Sequence, residues 1–479
     1  MIKHPKEKAV TMTMTRTRAA IVNFSAAFAG QIITVIVNFA SRRIFLDLLG
    51  GEYTGLGSLY GHILSILSLA EPGFAAAVIY AYYRPIAEGD TGKITALNTF
   101  LSRINLVSAA ISLFAGLAVT PFLSRLADIP EGMTDAVKAY ILSVINLSLG
   151  YVFSSRRAFA FANMRGYILT AYHTAFFTAM SFGRLCVLYF TKSYCMYLAA
   201  TLVFGIAEDY ALHVYLGGRY PFLKLSSRLS EMDMRSVTRQ VQALFFHRLG
   251  GIIVGSCDNL AVMSAQGLAA GAYYGNYTMI SGSLAAFTSL AAGSISSCIG
   301  NLGATESRER VRSVFMRVFA AVLVIASVSA PALYFAYPRV ITAWVGEEYV
   351  LGRFETFLFC TSYFIVTLRS AFLVFRDALG LFRLEFAKPF LETAVNVSVT
   401  LVLAPRLGIS GVLIGQIAGM LVCLVYEPCA LFYALREKKP SANRRESPKA
   451  YGGHYHIAAD GSDEACTDKS RFNRRHASA

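Results

Sequence analysis

Carboxylates and guanidinium groups set in apolar sequence are the residues of this chain with chemistry to do. Glu71 lies inside LSLAEPGFAAAVIY and Asp258 inside GGIIVGSCDNLAVMSA. If such blocks cross a bilayer, a charge at mid-depth costs about 2.5–3.5 kcal/mol, so one that is retained has a partner or a function. Gly57, Gly61, Leu64, Ser68, Glu71 and Ala75 share one helical stripe of mostly small residues, which would let a neighbouring helix or a cavity approach the Glu71 carboxylate. Pro72 removes a backbone donor and predicts a kink beside it. Glu71 is thus a candidate proton-binding or gating carboxylate; the plainer alternative is a Glu paired with an Arg that locks two helices. Asp258 has Asn259 beside it and Gly250, Gly251 and Gly255 before it. Adjacent helical residues point about 100° apart, so one can face a cavity while the other bonds a neighbouring helix. Packing alone gives little reason for an unpaired Asp, and Asp258 is read as an ion-coupling residue with Asn259 as a substrate contact.

Arg42 and Arg43 close the first apolar block, Arg184 lies in the fifth, Arg248 opens the seventh and Arg369 lies in the tenth. The guanidinium stays charged, and its planar fork matches phosphate oxygens two at a time, so several facing one cavity would suit a diphosphate. Arg43 and Arg248 read better as side chains reaching the headgroups. Arg42, Arg184 and Arg369 are the cavity candidates. Tyr60, Tyr80, Tyr274 and Tyr277 could stack on sugar faces, although tyrosines more often form interfacial belts.

The elements that must position these groups are membrane helices. The 479 residues are 55% hydrophobic and only 15% charged, with mean hydropathy +0.50, where a soluble domain has about 25% charged residues. The apolar residues fall into twelve blocks, roughly 20–43, 57–82, 104–124, 137–155, 166–190, 195–216, 246–266, 271–299, 313–337, 355–375, 386–404 and 409–433, each near the ~20 residues a spanning helix needs. Connectors alternate. One side carries Arg84, Lys93 and Arg103, then Arg156, Arg157 and Arg165, and later Arg308, Arg310 and Arg312; the other carries Asp47 and Glu52, Asp128 and Glu131, Glu347 and Glu348. Basic connectors stay cytoplasmic, which puts both termini inside. That also accounts for the +15 net charge without a nucleic-acid partner.

The expected organisation is all-α and integral to the membrane. A basic N-terminus (1–18) precedes a six-helix bundle (19–216), a cytoplasmic connector (217–245), a second six-helix bundle (246–436) and a disordered cytoplasmic tail (437–479). Gly50 to Ile63 lies over Gly267 to Ile280, pairing Tyr60 with Tyr277, as an internal repeat would. In two-lobed transporters of that kind the substrate path runs between the halves. No cleavable signal is evident. The eight cysteines are scattered singly, without the spacing of a disulfide framework or metal site. No phosphate-binding loop, HExxH or nucleophile elbow occurs, so neither an enzyme nor a cofactor is expected.

The stretch from Ser41 to Asp90 resembles the N-terminal signature of Wzx-type polysaccharide flippases: Ser41-Arg42, the connector from Leu49 to Leu56, and Leu69 to Gly73. RRAFAFANMRGYI (156–168) and DNLAVMSAQGLAAGAYYGNYTMI (258–280) resemble two further segments of that family. Pro72 and Asn163-Met164 depart from its pattern. The resemblance implies the MATE-like fold of the multidrug/oligosaccharidyl-lipid/polysaccharide exporter superfamily, with two six-helix bundles around a cationic cavity. It implies an undecaprenyl-diphosphate-linked oligosaccharide carried across the bacterial inner membrane. On that reading Arg42 and Arg369 would make the diphosphate and sugar-acid contacts, Arg184 is a further substrate-binding candidate, and Glu71 and Asp258 would couple protonation to reopening. H+ or Na+ are the candidate coupling ions, membrane lipids surround the chain, and a polysaccharide polymerase or glycosyltransferases are candidate partners. A multidrug cation antiporter of the same superfamily and a non-transporting scaffold are the competing readings.

Overall fold

The computed structural model describes residues 16–71, 73–123, 135–223, 249, 252, 255–379, 381 and 387–436. Pro72, Arg248, the greater part of the 217–245 connector and the 437–479 tail lie outside the described residues.

The chain is an all-α integral membrane protein. Its helices are α1 (Arg16–Leu67), α2 (Phe74–Glu88), α3 (Thr91–Val119), α4 (Ala136–Val152), α5 (Ser155–Ala162), α6 (Gly166–Thr191) and α7 (Tyr194–Arg219). A helical stretch at 255–266 follows, then α8 (Leu268–Thr305), α9 (Arg308–Trp344), α10 (Arg353–Leu379), α11 (Lys388–Leu407) and α12 (Ile409–Arg436). Caps mark several starts: Asp90, Ser193 and Ser307 accept from the backbone N–H groups of Lys93, Met196 and Arg310. Eight elements among the described residues are long and apolar enough to cross a membrane; a ninth results if α4 and α5, bent by 52°, form one broken span.

The first two expected spans are not separated by a loop. They run together as the 52 residues of α1, which as a straight rod would reach about 78 Å, against a hydrocarbon core of about 30 Å. Gly50, at φ 81° and ψ −179°, divides that length into two helices. Gly267, its partner in the internal match, has the same backbone conformation, φ 82° and ψ 174°, at the start of α8. A side chain would strain both positions, so each holds a glycine where the chain turns between helices.

The second expected span is broken. A 3₁₀ turn occupies Ser68–Ala70, Gly73 adopts φ 108°, and the helix resumes at Phe74. The stripe from Gly57 to Ala75 therefore does not run on one helix.

Two sets of helices follow from the packing. α3 packs on α2 and α4, α4 on α7, and α6 on α7 and α1; α10 packs on α8, α9 and α12, and α12 on α11. α1 against α8 is the principal joint between the sets. There a Cβ added to Gly55 would stand 1.8 Å from the Leu268 carbonyl oxygen, and one added to Gly271 would stand 3.4 Å from the Gly55 Cα. Small residues at such a crossing let backbones approach closely, as in membrane helix pairs generally.

Candidate functional site

Arg42 sits on α1 before the Gly50 turn and reaches across the joint. Its Nε donates to Asn276 Oδ1 at 2.8 Å and an Nη to the Ala272 carbonyl at 3.3 Å, both on α8. A Cβ on Gly275 would come within 3.0 Å of that guanidinium, so the glycine makes its seat. Arg184 enters from α6. Its Nη2 donates to Ser181 Oγ at 3.3 Å, and its guanidinium carbon lies 5.1 Å from the centre of the Tyr197 ring, within cation–π reach.

Both arginines line one cavity of about 350 Å³, with Asn38, Ser41, Thr54 and Tyr197 among its walls and no carboxylate among the described residues of its lining. Neither makes an ion pair among the described residues. Ser41 Oγ and Arg184 Nε are buried without a hydrogen-bond partner, and so is Asn276 Nδ2 behind Arg42. An unmatched buried polar group costs about 1–3 kcal/mol. Ser41 and Arg184 belong to residues that line the cavity, whose two guanidinium groups suit an anionic ligand.

Asp258 is 1% exposed on the 255–266 helix. Its Oδ2 accepts from Asn396 Nδ2 of α11 at 3.5 Å, Asn396 Oδ1 accepts from Thr400 Oγ1 at 3.4 Å, and Asp258 Oδ1 has no hydrogen-bond partner. Asn259 turns the other way: its side chain hydrogen-bonds with His62 of α1 and donates to the Gly255 carbonyl at 3.2 Å. Neither residue lines the arginine cavity.

Three other nominated residues have local roles that the sequence reading did not give them. Glu71 lies in the break after α1, where its Oε1 accepts the Ala75 N–H at 2.8 Å and caps the start of α2. Tyr277 is fully buried, 4.6 Å from the ring of Tyr337 and 5.0 Å from that of Phe359, and its hydroxyl accepts the Leu351 N–H. Tyr60, its repeat partner, is equally enclosed. Its ring lies 5.3 Å from that of Tyr140 and its hydroxyl donates to the Ala136 carbonyl, although one edge borders a separate cavity of about 200 Å³. The two tyrosines tie matched positions of the two helix sets to the segments that return to them. They are packing residues, not free sugar platforms.

Arg369 is set apart from Arg42 and Arg184. It is 8% exposed, and its Nη1 and Nη2 lie 2.9 Å from Glu392 Oε1 and 3.0 Å from Glu427 Oε1. Lys388 Nζ lies 2.7 Å from the same Glu427 oxygen. Two cations meet two anions across α10, α11 and α12, so the guanidinium has little charge left for a substrate. The Arg156 and Arg157 pair is likewise occupied. Arg156 donates to the His213 carbonyl, and Arg157 bridges Asp209 and Glu208. A carboxylate within an apolar block, the signal that singles out Glu71 and Asp258, also marks Glu208, Asp209, Glu392 and Glu427.

No protein-family model matches the sequence, and no curated protein does. Solved structures match the fold. A mutant of the Vibrio cholerae MATE transporter VcmN superimposes with TM-score 0.63 at 15% identity, over 88% of this chain and 98% of that one. The lipid II flippase MurJ, in an inward closed conformation, gives 0.62 at 12% identity, over 87% and 88%. A Pyrococcus furiosus transporter of the MOP superfamily, described as having a binding pocket of reversed polarity, gives 0.58 at 14% identity, over 91% and 100%. The chain has the fold of MOP-superfamily transporters.

Proposed function

We propose that the chain is a flippase of this superfamily, of the Wzx type. It carries an undecaprenyl-diphosphate-linked oligosaccharide across the bacterial inner membrane for cell-surface polysaccharide synthesis. The observation that carries this reading is the convergence of Arg42 and Arg184 on one cavity with no carboxylate among the described residues of its lining. A diphosphate cannot cross hydrocarbon unaided, because desolvating its charge costs too much. Two guanidinium groups that make no ion pair among the described residues replace part of that water, and Asn38, Ser41 and Thr54 supply hydroxyl and amide partners for the first sugar. The lipid tail stays in the bilayer between helices.

Alternating access is then a rocking of α1–α7 against the later helices about the Gly55–Leu268 crossing, with both termini on the cytoplasmic side. Because Arg42 bonds Asn276 and Ala272 across that joint, a phosphate that draws Arg42 away also loosens the joint. Asp258 is the candidate site for H+ or Na+, since it is enclosed and one of its oxygens has no hydrogen-bond partner. A cationic cavity is the wrong polarity for an exporter of organic cations, which disfavours the multidrug reading.

The test is a flipping assay in proteoliposomes. A labelled undecaprenyl-diphosphate oligosaccharide is loaded, and its accessibility to an added glycosidase is followed with and without a pH gradient. Movement above empty liposomes, lost in Arg42→Ala and in Arg184→Ala while the proteins remain monodisperse, supports the proposal. Undiminished movement in both variants would sink the role of the cavity. Movement of organic cations instead would favour the antiporter reading.

A further inference from the structure

Away from the transport cavity, a second basic pocket of about 550 Å³ opens where the N-terminal end of α9 meets the C-terminal end of α12. Arg308, Arg312, Phe432 and Tyr433 form its walls, with Cys429 at its edge and one carboxylate, Glu309. α9 begins here with divided faces. Val311 and Phe315 are buried in an apolar cluster with Phe375 and Leu431, while Arg308 and Arg312, four residues apart, lie together on an adjoining face. Arg308 is steadied by an Nη1 bond to the Ala434 carbonyl at 3.3 Å, and Arg312 stands 5.5 Å from the centre of the Phe432 ring. Arg312 and Arg317 make no ion pair among the described residues, and Arg312 and Arg317 also line an adjoining cavity with Met316.

What lies along the helices from this pocket points to its occupant. On α9, Met316, Val324 and Val328 are 48%, 63% and 66% exposed, and on α12 Val425 is 69% exposed. That exposed apolar surface lies on two helices long and apolar enough to cross a membrane. A molecule seated here meets cations at one end and acyl-compatible surface at the other. We infer that this pocket binds an anionic phospholipid, its phosphate between Arg308 and Arg312 and its chains along the exposed faces of α9 and α12. Basic pockets between membrane helices on the cytoplasmic side are suited to such headgroups, and the leaflet there is itself anionic. The positive end of α9 adds to the attraction. Arg308 also reaches α12 through the Ala434 carbonyl, so a bound lipid would brace the last helix against α9.

Cys429, exposed at the pocket edge, gives a local readout. The full chain is placed in vesicles of phosphatidylethanolamine alone or with phosphatidylglycerol, and alkylation by uncharged N-ethylmaleimide is followed at each cysteine by peptide mass spectrometry. Phosphatidylglycerol is expected to slow the reaction at Cys429 and leave Cys186 and Cys195 unchanged. Arg308→Gln with Arg312→Gln is expected to weaken lipid binding roughly 30-fold, taking about 1 kcal/mol for each basic residue near the surface, and so to abolish the protection. A second reading, phosphatidylglycerol-dependent thermal stabilisation in detergent, is expected to disappear in the same variant. Equal Cys429 rates in the two vesicle types, or full protection in the double variant, would overturn the proposal. Protection that persists in phosphatidylethanolamine alone and is lost when Asp460, Asp463 and Glu464 are neutralised would assign the pocket to the chain's own tail instead.

Discussion

Arg369→Met tests whether the guanidinium of α10 is structural. In the parent, Arg369 and Lys388 balance Glu392 and Glu427 in a site where Glu427 is fully enclosed. Removing the partner of a buried ion pair costs about 3–5 kcal/mol, because the remaining charge is left uncompensated. Glu427 keeps Lys388 at 2.7 Å, so the loss falls mainly on Glu392, whose side chain is 19% exposed. That places the expected cost near the lower bound, about 3 kcal/mol. At about 2 °C per kcal/mol for a large domain, the melting temperature should fall by about 6 °C. The double variant Arg369→Met, Glu392→Leu removes the carboxylate that the single variant leaves uncompensated and should recover all but about 1 kcal/mol of the loss. Thermal unfolding in detergent measures both, and flipping in proteoliposomes is run on the same preparations. A single variant as stable as the parent, or a double variant no better than the single, refutes the structural assignment. A well-folded double variant that flips nothing would return Arg369 to the substrate path.

Other outcomes follow from the same contacts. Gly275→Ala should lower flipping without lowering stability much, since its Cβ would lie 3.0 Å from Arg42 Nη2 and displace the guanidinium; parental flipping would show that Arg42 need not sit there. Gly55→Ala, whose Cβ would meet the Leu268 carbonyl at 1.8 Å, should force the α1–α8 joint apart and lower the melting temperature. An unchanged melting temperature would refute that crossing. Asp258→Asn should leave expression intact but make flipping indifferent to an imposed pH or sodium gradient, and retained gradient dependence would exclude Asp258 as the coupling site. Tyr277→Phe should cost about 1 kcal/mol through loss of the bond from the Leu351 N–H, with flipping unchanged; a selective loss of flipping would restore its role as a sugar contact.

The membrane class and the helical fold were legible in the sequence because hydrocarbon acts on composition directly. Long apolar blocks can satisfy their backbone only as helices or closed barrels. The match of Gly50 with Gly267 was legible too, because the turn conformation at both excludes most side chains and leaves a glycine there. The local setting of Glu71 was not legible, for a definite reason. Its apolar surroundings suggested a mid-helix position, whereas the helix ends before it and its buried carboxylate accepts an N–H at the start of the next one.

The sequence by itself determined that arginines stood in membrane helices at 42, 184 and 369 and that each needed an explanation. Only the tertiary structure decided which explanation applied. Arg42 and Arg184, from helices far apart in the chain, face one cavity with no carboxylate among its described lining residues, while Arg369 faces Glu392 and Glu427. The desolvation cost of a guanidinium is the same wherever it is buried. Whether a carboxylate or a ligand offsets it depends on how each helix is rotated against its neighbours, and that rotation is set by packing across the whole bundle.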